Sequence, residues 1–489
     1  MKKHALSLII LLLLLTLNAQ ALLSSDEIIQ EECFSFSFSE PIISIDQNKT
    51  TIEVVEANLT MNEPGCPDLP KFTKTIILPF GSTIASVIPK NIITHEKNID
   101  FPLFTTPLPE QYSILNVTKD ENIFSEDYLS NEWSTDWYPT QWFEYHIGGG
   151  LKGNVRVNYL TLTIYPVRYL QINNTISWID TFDVQIKYDE SQTAISRNSE
   201  DPIDLVIIGP DSFSSPVEPL LTHKKQIGLS AEFTSLSKIY DQYTGRDAAE
   251  QIKYYIEDMV STHDTCYVLI MGSIYQVPIR TSHTSIFGRW EHPVLSDLYY
   301  ADLYHADGSF SSWDTNNDGV YGETEVDNLD LYPDVHVGRL PCETVEEVSL
   351  VVNKIMVYEQ NTFGEDWYNN MIFIGGNTFP GLIFQRENEG EIHNQLIMSI
   401  MDDFTPSAVI WTSKGNFNPV TINRAINKGA GFVDYSGHGF EHGMGTYKPH
   451  GRRLKAYLTP YVSLLKNEYK LPVIFFDACL TAKLDFVSG

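Results

Sequence analysis

The chain has 489 residues, of which 43% are hydrophobic and 20% charged, an ordinary globular balance that excludes disorder or a membrane bundle as its overall state. Its 63 acidic against 33 basic side chains leave a formal net charge of −30, and with no basic patch in the sequence such a surface repels nucleic-acid backbones. At about 150 residues per domain, the length calls for two or three separate cores.

The N-terminus reads Met1-Lys2-Lys3-His4, then runs apolar from Ala5 to Leu15 and reaches Ala19-Gln20-Ala21. A basic end, a short apolar centre and small residues at a cleavage site predict a secretory signal peptide over 1–21, and hence a secreted or cell-surface protein. A membrane anchor needs roughly 20 apolar residues; this run breaks at Thr16 and Asn18, and no later stretch is long enough to give a stable span.

From Ser24 to Glu200 the text is β-like, with alternating or branched runs such as Thr51–Val55 and Val155–Ile164 punctuated by Pro, Gly and Asn. An all-β domain is predicted over 22–200. The sequons at Asn48, Asn58, Asn116 and Asn173 all fall here and mark exposed loops. The polar stretch from Tyr188 to Pro202 lacks apolar periodicity, as a linker between domains would.

Beyond it, short apolar runs alternate with amphipathic stretches: DLVIIG, a helical pattern over 245–260, YVLIMG, DVHVGR and the helix-like TVEEVSLVVNKIMVYEQ. The rhythm returns in MIFIGG, SAVIWTS, GFVDYSGHG and PVIFFDAC. Strands alternating with helices predict parallel sheets, read here as two α/β subdomains over 201–365 and 366–489. Continuous apolar runs are expected to be buried strands whose carboxyl ends open onto a ligand crevice.

Two reactive residues occupy that position, His438 closing GFVDYSGHG and Cys479 closing LPVIFFDAC. A thiol becomes a strong nucleophile as thiolate, and a neighbouring imidazole can take its proton. Gly437 and Gly439 are expected to let the backbone turn tightly; the N–H groups of Gly439 and Cys479 would form an oxyanion hole. A Gly-His-Gly turn or a strand-ending cysteine, taken singly, is more often structural. The odd total of five cysteines leaves at least one thiol unpaired, and Cys33, Cys66, Cys266 and Cys342 read as bland.

The motifs YSGHG and LPVIFFDAC, with Asp485-Phe486 shortly after, resemble the histidine and cysteine motifs of the gingipain family of cysteine peptidases. YPDVHVGRLP over 332–341 and EPGCPDLP over 63–70, the latter like the family's propeptide, extend the resemblance over most of the chain. It implies a caspase-like catalytic fold of two subdomains, a β-rich propeptide acting as intramolecular inhibitor, and endopeptidase activity on protein or peptide substrates. His438 would be the base and Cys479 the nucleophile. Gly376 and Asn377 stand near the place of a third, acidic member, without a carboxylate. Glu387, Glu389 and Glu391 are candidates for a pocket binding a basic side chain, or for acids in the first turn of a helix. Arg197 is one candidate for maturation cleavage. Family members continue past the point where this chain stops, ten residues after Cys479, so more catalytic subdomain is expected to follow.

A second site lies in the run Asp314-Thr-Asn316-Asn-Asp318-Gly319, with Val320 offering a carbonyl and Glu325 at the twelfth position, the pattern of an EF-hand loop. A structural Ca²⁺ is expected there, against the alternative of a solvated Asn/Asp turn; no organic cofactor is expected. Two other function classes stay open: a sortase-like transpeptidase, and a catalytically inactive, calcium-stabilised surface binding protein.

Overall fold

The computed structural model describes residues 29–485 apart from 47, 62, 64, 107–134, 190–200, 287–289, 325, 379–387, 450 and 452. The predicted signal peptide, Asn116, most of the linker with Arg197, Glu325, Glu387 and Phe486 therefore lie outside the described residues. Among those described, no helix is long and apolar enough to cross a membrane. They divide into two compact units. The first comprises residues of Met1–Arg197 with Ala301–Ser312 and Asn328–Val335, and the second the remainder.

The first unit is built from antiparallel strands, as its alternating sequence predicts. They are β1 (Ile29–Ser37), β2 (Ile42–Asp46), β3 (Lys49–Glu53), β4 (Leu59–Thr60), β5 (Pro70–Pro79), β6 (Thr83–Asn98), β7 (Phe143–Lys152), β8 (Val155–Ile164), β9 (Val167–Leu170) and β10 (Thr175–Asp189). One sheet has the order β4-β5-β8-β7; another has β1-β10-β6 with β9 also on β10; β2 and β3 form a hairpin. Leu160, Leu162 and Ile164 bury the alternate positions of β8. On β10 the buried set shifts phase between Ile179 and Phe182, where bulges interrupt its register with β6 and re-aim the side chains. Asn48, Asn58 and Asn173 are exposed, as their sequons require.

Residues 301–312 and 328–335, which the sequence assigns to the first α/β subdomain, pack instead with this β unit. The reason is a run of glycines on β7. A Cβ at Gly148 would meet the Tyr332 ring at 2.2 Å, so the bare backbone makes room for it. The Gly149 N–H donates to Asp330 Oδ2 at 2.8 Å, and Tyr332 stacks on Tyr159 with ring centroids 5.2 Å apart.

The second unit carries two four-stranded parallel sheets. The first has the order β12-β11-β13-β16, from β11 (Leu205–Gly209), β12 (Ala231–Ser235), β13 (Tyr267–Met271) and β16 (His336–Leu340); β14 (Arg280–Ile286) and β15 (Trp290–Ser296) form a separate hairpin. Its helices are α1 (Ser214–Gln226), α2 (Leu236–Gln242), α3 (Ala248–His263), α4 (Leu298–Ala301) and α5 (Val345–Asn361). The predicted pattern over 245–260 is α3, started by the Asp247 side chain accepting from the Glu250 N–H. The TVEE of the second pattern is a capping box, in which Thr344 and Glu347 satisfy each other's backbone donors at the start of α5. Val217 and Leu220 of α1 and Val348 and Val352 of α5 cover one face of the sheet around Ile207.

The second sheet has the order β18-β17-β19-β23, from β17 (Asn370–Gly375), β18 (Thr405–Trp411), β19 (Phe432–Ser436) and β23 (Val473–Asp477). From β17 the chain passes through α6 (Glu389–Ile400) to β18 on one side. It then returns through α7 (Pro419–Lys428) to β19 on the other. The carboxyl ends of β17 and β19 thus flank a topological switch point, where open α/β sheets bind ligands. A hairpin unit of β20 (His438–Phe440), β21 (Gly443–Tyr447) and β22 (Leu454–Leu458) follows β19, and α8 (Thr459–Val462) leads toward β23. The sequence did not point to this hairpin unit. The apolar strand β23 was expected to be buried; it is an edge strand with Phe475 62% exposed, because among the described residues only β19 pairs with it.

Candidate active site

The parallel register of β19 and β23 sets the site. Ser436 lies opposite Asp477, and the ladder extends one step further through the Gly437 N–H, which donates to the Asp477 carbonyl at 3.1 Å. His438 stands two residues beyond Ser436 and Cys479 two residues beyond Asp477, so both come to the same edge of the sheet. The Cys479 thiol donates to the Gly439 carbonyl at 3.6 Å. Cys479 is exposed, whereas Cys266 and Cys342 are buried, and all five cysteines are free. Burial pushes the Cys66 and Cys342 thiols up, which favours their protonated form.

The glycines about His438 act by leaving space. Neither Gly437 nor Gly439 has a left-handed φ, contrary to the tight turn expected of them. A Cβ at Gly437 would meet the Tyr435 hydroxyl at 2.6 Å, and one at Gly439 would meet Ala478 Cβ at 3.0 Å. Gly439 thereby packs directly against the loop that carries Cys479. Tyr435 is fully buried, and its hydroxyl reaches the Gly445 carbonyl at 2.7 Å and the His438 carbonyl at 2.9 Å, tying β19 to β20 and β21. The sequence signal for this strut was the tyrosine of YSGHG, which went unassigned.

The imidazole is oriented by a backbone group. His438 Nε2 lies 2.7 Å from the Thr378 carbonyl oxygen, which can only accept, so Nε2 carries a proton and, in the neutral ring, the lone pair is on Nδ1. The ring also meets Tyr447 edge to face, with centroids 5.8 Å apart. Thr378 is brought there by its neighbour Asn377, which exchanges two backbone hydrogen bonds with Tyr447 of β21, at 3.1 and 2.9 Å. A carbonyl has no residue-type signature, so sequence reasoning about the third position looked only for a carboxylate.

Of the acids read as pocket candidates, Glu389 and Glu391 lie in the first turn of α6, as the alternative reading of them as first-turn residues allows, and Glu387 lies outside the described residues. Glu391 is 5% exposed and turned inward, accepting from the Ser413 N–H at 2.9 Å, the Ser413 hydroxyl at 2.5 Å and the Thr412 hydroxyl at 3.4 Å. Glu389 accepts from the Thr378 N–H at 3.0 Å. The helix start reaches the sheet edge because Gly390 lacks a side chain: a Cβ there would lie 2.5 Å from the Ser436 carbonyl oxygen.

The acidic loop forms a closed turn elsewhere in this unit. Asp314, 1% exposed, accepts from the Asp318 and Gly319 N–H groups at 3.0 and 3.2 Å, and Gly319 takes φ +85°. Asn316 Oδ1 accepts from the Asp318 N–H and Asp318 Oδ1 from the Val320 N–H. Asp327, which the sequence reading passed over, closes the loop by accepting from Thr315 and Glu323. This set of carboxylate, amide and carbonyl oxygens suits a hard cation in chemistry. One feature opposes it: Arg246 holds Asp314 Oδ2 at 2.6 Å and already supplies a positive charge. Among the described residues no group of three or more His, Cys, Asp or Glu side chains is placed to hold a metal ion.

Comparison with known proteins bears on the whole second unit. The sequence model of peptidase family C25 matches residues 198–488. The chain belongs to peptidase family C25. Among curated C25 relatives, gingipain R2 of Porphyromonas gingivalis is 24% identical over 278 residues, covering 56% of this chain and 32% of that protein. An uncharacterised protein of Archaeoglobus fulgidus is 23% identical over 279 residues, covering 54% of this chain and 62% of its own length. The chain thus spans about a third of the length of the gingipain R2 it matches. Among solved structures, that of the Arg-specific cysteine proteinase gingipain R aligns at 23% identity and a TM-score of 0.43, covering 60% of this chain and 58% of that one. Membership makes this a chain of the cysteine peptidase class, and the resemblance of YSGHG and LPVIFFDAC to the gingipain motifs falls within the matched segment.

Proposed function

We propose that the chain is the precursor of a secreted cysteine endopeptidase in which Cys479 is the nucleophile and His438 the general base. The observation that carries the reading is the placement of both residues two positions beyond the opposed pair Ser436 and Asp477, with the Cys479 sulfur resting on the carbonyl of Gly439. The chemistry follows from the tautomer. With Nε2 donating to Thr378, Nδ1 is the lone pair that takes the thiol proton. The thiolate then attacks the scissile carbonyl carbon, forming a C–S bond and an oxyanion that the N–H groups of Gly439 and Cys479 would receive. The imidazolium returns the proton to the leaving amine as the C–N bond breaks. Water, deprotonated by the same imidazole, cleaves the thioester and regenerates the thiol.

Substrates are proposed to be proteins or peptides cut after a basic residue, in keeping with the Arg specificity stated for gingipain R. The inward-turned Glu391 does not supply that specificity, since its oxygens are engaged by Thr412 and Ser413. The β-rich segment over 22–200 is proposed as the propeptide, removed by cleavage in the polar linker near Arg197. A structural Ca²⁺ at the Asp314–Val320 loop is part of the proposal, and Asp314, Asn316, Asp318, the Val320 carbonyl and Glu325 would hold it.

The test is covalent labelling with an acyloxymethyl ketone carrying Arg, Lys or a neutral side chain, followed by peptide mapping of the adduct. Wild-type protein is expected to be labelled on Cys479 by the Arg or Lys reagent, and Cys479→Ala not at all. Labelling that persists in Cys479→Ala, or that maps to another cysteine, overturns the assignment.

A further inference from the structure

We infer that Glu389 is a positioning residue for the general base, acting on His438 through the backbone of Thr378; the inference rests on His438 being that base. Three observations on one line carry it. His438 Nε2 donates to the Thr378 carbonyl at 2.7 Å, and the N–H of the same residue donates to Glu389 Oε2 at 3.0 Å. The other carboxylate oxygen, Glu389 Oε1, is buried and has no hydrogen-bond partner among the described residues.

A backbone carbonyl is a good acceptor only while its residue is held in one orientation. The two backbone bonds of Asn377 to Tyr447 fix the segment as far as Asn377, and the described β-ladders go no further toward Thr378. The next restraint along the chain is the charge-assisted bond from the Thr378 N–H to the Glu389 carboxylate, stronger than a neutral one. Glu389 is itself placed by its position as first residue of α6, whose N-terminus favours a negative charge. A carboxylate kept in place with one buried oxygen unpaired is a costly arrangement if the side chain serves only to cap a helix. Glu391, two residues on, differs: its contacts to Thr412 and Ser413 hold α6 to the loop after β18, and it has no contact with the Thr378 peptide among its bonds.

The consequence is a fixed tautomer. While Thr378 is held, the proton stays on Nε2 and the lone pair on Nδ1; when Thr378 is released, the ring loses the acceptor that makes this choice.

The test uses the full chain in three forms: wild type, Glu389→Ala and Glu389→Gln, the last keeping an acceptor oxygen for the Thr378 N–H. In Glu389→Ala, kcat is expected to fall on the order of 10–100-fold with KM within about twofold, as misplacement of a catalytic group does. Glu389→Gln is expected to recover most of the loss. Nitrogen-15 NMR of histidine-labelled protein supplies the second readout. The ring signals that vanish in His438→Gln are expected to report the Nε2–H tautomer in wild type and Glu389→Gln, and a mixture in Glu389→Ala. An unchanged tautomer in Glu389→Ala overturns the inference, as does a loss of kcat that merely follows a lowered Tm. Activity surviving in Cys479→Ala would instead remove the nucleophile assignment, and the tautomer measurement would still decide the role of Glu389.

Discussion

The Ser436 hydroxyl donates to Asp477 Oδ2 at 2.8 Å, joining the last residue of β19 to the last residue of β23. It closes the ladder immediately before the two strands release His438 and Cys479, and so helps keep histidine and thiol in step. Ser436→Ala is expected to cost about 1 kcal/mol of stability and to lower kcat/KM several-fold, read by thermal unfolding and a peptide-cleavage assay. A lowered Tm with unchanged kcat/KM would show that the backbone ladder alone sets the register.

If His438 and Cys479 act as one unit, their losses do not add. Cys479→Ala and His438→Ala are each expected to reduce kcat/KM by at least about 1000-fold, and the double variant is expected to be no worse than the more damaged single one. Losses that multiplied would mean that the two side chains act independently, against the proposed proton transfer. Cleaved peptide quantified by mass spectrometry, with and without an added amine, reads hydrolysis and acyl transfer in the same experiment.

Tyr435 is a strut beneath the histidine. Tyr435→Phe removes a fully buried hydroxyl shared between the His438 and Gly445 carbonyls, so a loss of roughly 1–3 kcal/mol is expected in chemical denaturation. Because the lost bond ends on His438 itself, kcat is expected to drop as well. An unaffected midpoint would mean that water replaces the hydroxyl.

Asp434 faces the opposite side of β19 and is buried, with the Asn394 amide donating to it at 2.7 Å. Burial raises its carboxyl above the usual carboxylate range. The Asn394 bond and nearby His393 pull it down and Asp477 pushes it further up. A folded-state pKa above the unfolded one means that its contribution is fully present below the unfolded pKa and is lost as pH rises through the folded one. Asp434→Asn is therefore expected to gain in Tm relative to wild type as pH rises from 4 to 7. A constant difference across that range would contradict the elevated pKa.

For the acidic loop, millimolar Ca²⁺ is expected to raise Tm by a few degrees and EDTA to reverse the change, through binding to the native state alone. Asp318→Ala is expected to abolish the response. No shift in wild type would mean that Arg246, already on Asp314, is the only positive charge the loop requires.

Much of the second unit was legible because parallel strands are written as short, mainly apolar runs. LVIIG, YVLIM, NMIFIG, FVDYS and VIFFD each became a strand close to where the text changes character. The helices α3 and α5 announced themselves through Asp247 and through the capping box of Thr344 and Glu347. The two candidate residues, a thiol and an imidazole each just past such a run, were legible for the same reason. Glu391 was less so, since an acid in a first helical turn reads alike whether it faces a pocket or folds back onto Ser413. Residues 328–335 were misassigned because packing against the glycines of β7 is a relation between distant segments and leaves no periodic mark.

The sequence by itself determined most strands of the two parallel sheets, that the N-terminal part is all-β, and that His438 and Cys479 follow apolar runs, because burial and backbone geometry impose local patterns of residue type. Only the tertiary structure decided that Ser436 pairs with Asp477 and that a Thr378 carbonyl accepts from the imidazole N–H. Strand register and backbone acceptors depend on which segments meet in space, and every residue carries the same N–H and C=O groups except proline, so composition cannot encode them.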